Sequence, residues 1–180
     1  MRLFVGIPLT AAVIEELSAI SMRLQSQADG LRWSAPESWH ITLQFLGNTQ
    51  QYECIVSRLR ELRLPALPIQ LEGLGFFDRA GVFFAGVNLT AKLEALQQRV
   101  TAATGLCGFI PETRTSHAHI TLARRKAKGG RGLRELKEKI QRDPRFSGFV
   151  ADVFVLYESV PGPGGSRYEI RDLFSLGQHG

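Results

Sequence analysis

Cysteine is scarce in this 180-residue sequence, which contains only Cys54 and Cys107. Two cysteines exclude a disulfide-rich scaffold, and these two lack the close spacing of a cysteine metal site. Both lie in apolar stretches that resemble helices. We therefore expect two free, buried thiols in a reducing compartment, the cytoplasm.

Long apolar runs are also missing. No uncharged stretch approaches the roughly 18 residues that a membrane-spanning helix needs. The uncharged run at residues 3–14 follows Arg2 as in a short signal peptide, but Pro8 interrupts it. The apolar residues that follow recur at helical spacing, which predicts a folded amphipathic helix rather than a cleaved leader. We expect a protein without membrane association.

Basic residues outnumber acidic ones by 22 to 17, and the formal net charge is +5. A basic run is usually the solvated face of a helix and its loop. Here it directly follows a histidine motif at residues 119–122, which favours an anionic partner. The run consists of Arg124, Arg125, Lys126, Lys128, Arg131, Arg134, Lys137 and Lys139.

Hydrophobic periodicity predicts alternating helices and strands. Helices are expected at residues 11–27 and 50–63, from the cap Thr90 to a stop at Gly105, and from Leu133 through Ile140 to an end at Pro144. Thr10 is the expected cap of the first helix. Strands are expected at residues 1–7, 39–46, 68–77, 81–89, 119–122, 150–160 and 168–176.

The order helix, motif strand, helix, strand occurs in both halves of the chain. We therefore expect an α+β fold, a single bilobal domain over residues 1–180. Its two pseudo-twofold-related lobes would have antiparallel sheets that face each other across a central cleft, with the helices outside. The lobe cores are expected at residues 10–90 and 91–160.

The tetrapeptide His-Ile-Thr-Leu occurs at residues 40–43 and again at 119–122. For this composition, the chance of two such matches among the histidines is on the order of 10⁻⁴, so coincidence explains the repeat poorly. Side chains alternate across a strand, so His40 shares a face with Thr42, and His119 shares a face with Thr121. The repeat therefore predicts a cleft lined by two imidazoles and two hydroxyls.

This residue set meets the needs of general acid–base catalysis on a phosphate ester. An imidazole has an ordinary pKa of about 6.5, so one ring can accept a proton while the other donates one. Each positioned proton transfer contributes about 10²- to 10⁴-fold in rate. Threonine hydroxyls can donate to non-bridging phosphate oxygens, where charge develops. No step demands a metal or another cofactor, and we expect none.

Two other interpretations stay open on the residues alone. His117 shares a strand face with His119, so His40 could complete a three-histidine zinc site of a hydrolase. However, His117 has no counterpart in the first copy, where Ser38 stands. Alternatively, the basic run carries RNA affinity and the histidines are inert, as in a non-catalytic RNA-binding module.

The paired motifs resemble the HxTx signatures of the 2H phosphoesterase superfamily. The stretches MRLFVGIPL, RWSAPESWHITLQFLG and HAHITLARR are similar to its RNA 2′,3′-cyclic phosphodiesterase branch, historically called the 2′-5′ RNA ligases. The resemblance covers nearly the whole chain. It implies a bilobal fold and hydrolysis of a 2′,3′-cyclic phosphate, on an RNA end or a small cyclic nucleotide, to a 2′-phosphate. Reversible 2′-5′ ligation is the related activity, and a monomer is expected.

The resemblance also implies a role for each site residue. His119 would be the proton acceptor that activates water, and His40 the proton donor to the leaving 3′-oxygen. Thr42 and Thr121 match phosphate-binding hydroxyls of the family. Arg124 matches its arginine five residues after the second histidine.

Strand alternation conflicts with the last of these roles. It puts Arg125 rather than Arg124 on the face of His119, unless a bulge intervenes, so Arg125 is the second candidate. Aromatic rings can stack on unpaired bases. The candidates are Phe4, Trp33, Trp39, Phe76, Phe77 and Tyr168.

Overall fold

The computed structural model describes residues 1–112, 117–126, 133–140 and 146–177. Within these residues the fold is a mixed α/β arrangement of nine strands and four helices. The helices are α1 (Ala11–Gln25), α2 (Tyr52–Arg60), α3 (Ala91–Gly105) and α4 (Leu133–Ile140). The strands are β1 (Arg2–Pro8), β2 (Leu31–Trp33), β3 (His40–Asn48), β4 (Leu67–Phe77), β5 (Val82–Val87), β6 (His119–Arg125), β7 (Gly148–Ala151), β8 (Val153–Gly162) and β9 (Gly165–Ser175).

The strands form one antiparallel sheet in the order β7-β4-β5-β6-β3-β1-β8-β9, and β2 pairs with β6 beside this path. The predicted class, helices with antiparallel strands, is confirmed. The division into two facing sheets is not observed. A single bridge, from Ile41 in β3 to Ile120 in β6, links the two parts and makes the sheet continuous.

The sheet has two halves on either side of this bridge. β3, β1, β8 and β9 lie on one side, and β6, β5, β4 and β7 lie on the other. Strands β4 and β5 therefore lie beside the second copy of the repeat, although they follow the first copy in the chain. The lobe limits at residues 10–90 and 91–160 stay a prediction, and strand pairing joins segments from both.

The helices begin where the sequence places their caps. The hydroxyl oxygen of Thr90 accepts a hydrogen bond from the backbone N–H of Leu93 at 3.2 Å, as a helix cap does. Thr10 occupies the same position before α1 but makes no such side-chain bond; only its carbonyl accepts, from the N–H of Ile14 at 3.0 Å. Burial of the apolar faces therefore contributes more to α1 than capping does.

Two differences from the predicted strands change the topology. β2 has three residues and is too short for any periodicity to reveal. The segment 150–160, expected as one strand, divides at Asp152: β7 pairs with β4, whereas β8 pairs with β1 and β9. The chain thus crosses from one half of the sheet to the other at that residue.

The expectation of free cysteines is wrong, because Cys54 and Cys107 form a disulfide with their Cα atoms 5.9 Å apart. Cys54 lies in α2 and Cys107 directly follows α3, and both residues are half-buried. Helices α2 and α3 pack against each other. A contact between residues 53 positions apart depends on this packing and leaves no local signal in the sequence.

The repeated isoleucine and leucine residues belong to the main hydrophobic cluster. Ile41, Leu43, Ile120 and Leu122 are all less than 5% exposed. Burying a side chain of this size contributes roughly 1.5–3 kcal/mol. These residues therefore anchor the two motif strands and hold the alternate residues on the other face. None of the helices in the described ranges is long and apolar enough to span a membrane.

Candidate active site

The two copies of the repeat meet at the Ile41–Ile120 bridge. Continuing this antiparallel register places His40 opposite Thr121 and Thr42 opposite His119. All four side chains are half-buried, and they lie on the face opposite the two buried isoleucines. The structure therefore brings both imidazoles and both hydroxyls to one place, in a near-twofold arrangement.

Glycines on the flanking strands keep this face open. Gly6 in β1 pairs with Thr42, and Gly86 in β5 pairs with His119. A Cβ atom on Gly6 would lie 2.8 Å from the carbonyl oxygen of Ile41 and 3.4 Å from the ring of His40. Any larger residue at position 6 would therefore clash with the backbone of Ile41, directly after the first histidine.

The His40 ring is held by two hydrogen bonds. Its Nδ1 atom lies 2.8 Å from the carbonyl oxygen of Ser38, and its Nε2 atom lies 3.0 Å from the hydroxyl oxygen of Thr42. A carbonyl oxygen only accepts, so Nδ1 carries a hydrogen and donates it. Nε2 is then the atom that gains and loses a proton, and Thr42 donates to it when the ring is neutral.

The His119 ring repeats the first of these bonds. Its Nδ1 atom donates to the carbonyl oxygen of His117 at 2.6 Å, again two residues before the ring. Both histidines are therefore fixed in the same tautomer, with Nε2 free for chemistry. Within the described residues, no hydrogen bond joins His119 to Thr121, which makes its Nε2 the more accessible of the two.

A bulge decides which arginine shares the face of His119. In the β5–β6 ladder, Phe84 pairs with Thr121 and Phe83 pairs with Ala123, so Leu122 is skipped. The skipped residue shifts the alternation by one, and Arg124 returns to the face of Thr121. A matching skip passes over Leu43 in the β1–β3 ladder.

Arg125, the second candidate, is engaged elsewhere. Its guanidinium donates to the carbonyl oxygen of Asp78 at 3.3 Å, and its side chain passes over Gly81, whose Cβ position lies 3.1 Å away. These contacts hold Arg125 on the turn between β4 and β5. Arg124 is exposed, and its charge acts on His119, as described below.

The two rings have different aromatic neighbours. His40 lies 4.8 Å from Phe4, 5.2 Å from Tyr168 and 5.6 Å from Tyr157, measured between ring centroids. His119 lies 5.1 Å from Phe77 and 5.7 Å from Phe84. Apolar rings on both sides reduce the access of water to the histidines.

Burial lowers the pKa of both histidines from the ordinary value. For His40, the hydrogen bond to Ser38 opposes this effect, and the positive charge of protonated His119 adds to it. For His119, the hydrogen bond to His117 opposes burial, while the charges of Arg124 and His117 lower the pKa further. The two rings are therefore close enough to influence each other. Burial also raises the pKa of Tyr157 to about 12, so its phenol stays neutral.

A groove of about 700 Å³ opens beside His119, where β3 and β6 diverge beyond their single bridge. Phe77 and the strongly exposed Phe45 form its aromatic side, and the latter is 66% exposed. Its other lining residues include Glu94, Gln97, Gln98 and Thr101 from α3, and Ile110, Pro111 and Glu112 after it. At the opposite end of the bridge, β2 fills the equivalent space by pairing with β6.

The aromatic candidates from the sequence divide into three groups. Phe4, Phe77 and Tyr168 adjoin the histidines. Trp39 is buried and Trp33 packs on Phe83, so both belong to the core. Phe76 is covered by the ammonium group of Lys137. Sequence analysis missed the neighbouring rings Phe45, Phe84 and Tyr157, whose positions depend on the bulges and on strand order.

The three-histidine metal site receives no geometric support. In the ranges that the structure describes, no group of three or more His, Cys, Asp or Glu side chains is arranged to hold a metal ion. His117 instead contributes its backbone carbonyl to orient His119.

A family model described as the 2′-5′ RNA ligase superfamily matches residues 10–162. The chain belongs to this superfamily. The RNA 2′,3′-cyclic phosphodiesterase of Aquifex aeolicus is 29% identical over an alignment of 186 positions that covers 98% of each chain. That of Archaeoglobus fulgidus is 32% identical over 71% of this chain and 74% of its own. The resemblance stated from the motifs is confirmed.

Two solved structures share this fold. The crystal structure of TT0787 of Thermus thermophilus superposes with a TM-score of 0.82 at 28% identity, covering 99% of this chain and all of that chain. Escherichia coli LigT complexed with 3′-AMP superposes with a TM-score of 0.78, covering 98% of both chains. At 23% identity, the likeness to LigT shows the fold alone.

Proposed function

We propose that the protein is a metal-independent RNA 2′,3′-cyclic phosphodiesterase that converts a terminal 2′,3′-cyclic phosphate to a 2′-phosphate. The observation that carries this proposal is the pair of histidines with matched tautomers, brought together by the Ile41–Ile120 bridge. The names of the relatives in the superfamily support the same reaction.

In the proposed mechanism, His119 acts as the base. Its Nε2 atom takes a proton from a water molecule, whose oxygen attacks phosphorus in line with the 3′-oxygen. The bond from phosphorus to the 3′-oxygen breaks, and Nε2–H of His40 protonates that oxygen as it leaves. Water thus supplies the hydroxyl of the 2′-phosphate and the proton of the 3′-hydroxyl, by way of the two rings.

Charge on the phosphate would be stabilised by three donors. The hydroxyls of Thr42 and Thr121 lie on the same face as the rings, and Arg124 returns to that face after the bulge. Donors aimed at developing negative charge are worth about 10²- to 10³-fold each in rate. The same chemistry with an RNA 5′-hydroxyl in place of water would form a 2′-5′ linkage.

The base of the terminal nucleotide would lie in the groove beside His119. Phe45 offers an exposed ring there, and the carboxamide and carboxylate groups of α3 face the same space. Glu94 and Glu112 disfavour a phosphate in the groove, whereas an uncharged base can stack and accept or donate hydrogen bonds.

A turnover assay tests the proposal. The wild-type protein should hydrolyse a short RNA with a 2′,3′-cyclic phosphate end, yield only the 2′-phosphate, and keep its rate in chelator. His40→Ala and His119→Ala should each lose nearly all activity. His117→Ala is the matched control, since it keeps the carbonyl that orients His119, and it should stay active.

Two other outcomes of the assay would identify the alternative functions. Salt-dependent RNA binding without turnover would identify a binding module, and zinc near one equivalent with loss of activity in chelator would identify a metal hydrolase. The monomeric state and the cytoplasmic location stay predictions. Gel filtration tests the first, and fractionation of intact cells tests the second.

A further inference from the structure

Two arginines lie side by side on the site face of the sheet. Arg32 in β2 pairs with Arg124 in β6 in the antiparallel register. Residues paired in this way point to the same face, with Cβ atoms about 4.5–5.5 Å apart. The next pair, Trp33 with Ala123, points to the core, since Ala123 is fully buried. The arginines therefore face the cleft.

Neither arginine has an acidic partner among the described residues. Both are exposed, and no carboxylate in those ranges lies within ion-pair distance of either one. Like charges directly opposite on neighbouring strands destabilise a sheet. A cation pair retained at that cost beside a reaction site is suited to binding an anion.

The cyclic phosphate accounts for only one of these cations. Arg124 is close enough to His119 to lower its pKa, which places it beside the reacting group. Arg32 lies opposite Arg124 on β2, which takes the same edge of β6 that β3 takes at Ile120, and of the two arginines only Arg124 acts on the pKa of His119. The groove on the other side carries Glu94 and Glu112 and has no lysine or arginine among its described lining residues. A second phosphate would therefore bind on the side of β2 rather than in the groove.

We propose that Arg32 binds the internucleotide phosphate on the 5′ side of the terminal nucleotide, next to Arg124. This inference rests on the proposed function. It makes Arg32 the residue by which the enzyme distinguishes an RNA end from a free cyclic mononucleotide, because the mononucleotide lacks that phosphodiester. The RNA would then leave the cleft over β2, opposite the groove that takes the base.

Arg32→Gln tests the proposal with two substrates, a trinucleotide that ends in a 2′,3′-cyclic phosphate and a 2′,3′-cyclic mononucleotide with a free 5′-hydroxyl. The KM for the trinucleotide should rise about 10-fold, since a charge-assisted hydrogen bond is lost. Its kcat, and both constants for the mononucleotide, should stay unchanged. The salt dependence of trinucleotide binding should fall by about 0.7 in logarithmic slope, the value for one phosphate on a single strand.

Two control variants distinguish the loss of phosphate binding from a structural effect of the substitution. Arg32→Lys should recover part of the affinity, because it restores the charge without the planar fork. Arg2→Gln removes an exposed arginine at the end of β1 far from His40 and should change neither substrate. The melting temperature of Arg32→Gln should equal or exceed that of the wild type, since a like-charge pair is removed.

The outcomes separate the two proposals. Equal losses on both substrates would mean that Arg32 acts on the cyclic phosphate, and no loss on either would mean that it binds nothing; both results overturn this inference alone. Failure of the wild type to hydrolyse either substrate overturns the proposed function itself.

Discussion

The two copies of the repeat have the same backbone and different surroundings. In both, the histidine Nδ1 donates to the carbonyl two residues earlier, and a bulge skips the leucine that follows the threonine. Five residues after each histidine, however, the first copy presents Phe45 and the second presents Arg124. Under the proposed function, duplication would supply two equivalent proton-transfer groups, and the residue at the fifth position would give each half its own ligand preference, a base on one side and a charge on the other.

The space next to each strand follows the same division. Past the single bridge, the edge of β3 that would face β6 is open, and the groove forms there. The matching edge of β6 is filled by β2, which brings Arg32. Under the proposed function, an asymmetric substrate would bind to a nearly symmetric pair of motifs because the neighbours of the two motifs differ.

The largest expected effect concerns what the copies share. His40→Ala and His119→Ala should each lower kcat by about 10²- to 10⁴-fold, and the double variant should lose little more, because the two rings act on one reaction as a unit. Single-turnover measurement of all three variants tests this. Multiplicative losses in the double variant would show that the rings act independently.

A smaller effect is expected from the fifth position of the second copy. Arg124→Ala should lower kcat by about 10²-fold, through loss of a donor to the developing phosphate charge. Arg125→Ala is the matched control, since its side chain is held at the turn by Asp78, and it should have little effect on kcat. A reversed order would show that the bulge does not set the face as argued.

The fifth position of the first copy should affect binding rather than the chemical step. Phe45→Ala should raise KM about 10-fold with kcat unchanged, as expected for loss of one stacking contact of about 1 to 3 kcal/mol. The ring is 66% exposed, so the melting temperature should change little. Ile170→Ala, another exposed apolar residue at 57%, serves as the control. A fall in kcat alone would contradict a base-binding role.

The smallest effect is a shift in pH dependence. Under the proposed roles, activity should rise with pH as His119 loses its proton and fall with pH as His40 loses its own. The pKa values of both are lowered, mainly by burial, so both limbs of kcat/KM should lie below about 6.5 and the optimum should be acidic. A bound anion stabilises protonated His40, so the falling limb of kcat should lie at higher pH. An alkaline optimum of kcat/KM would rule out this assignment of roles.

Much of the site was predictable because it depends on local pattern. Strand alternation put His40 with Thr42 and His119 with Thr121 on common faces, and the structure places all four together. Apolar periodicity located every helix to within a few residues. The resemblance to a family supplied Arg124, which alternation alone assigns to the wrong face.

The rest depends on contacts between distant segments. The bulge at Leu122 is visible only in the pairing of β5 with β6, and the three-residue β2 exists because β6 offers it an edge. The single sheet requires the Ile41–Ile120 bridge, and the disulfide requires two helices to pack. None of these has a signature within one short stretch of sequence.

The disulfide between Cys54 and Cys107 makes the melting temperature depend on redox conditions. It closes a loop of 53 residues that contains β4, β5 and all of α3, and strands β4 and β5 belong to the half of the sheet that carries His119. In the chain-entropy description, closing a loop of this length stabilises the folded state by about 4 kcal/mol. Protein stored with a reducing agent should therefore melt roughly 10 °C lower, while His40 and His119 should keep their positions.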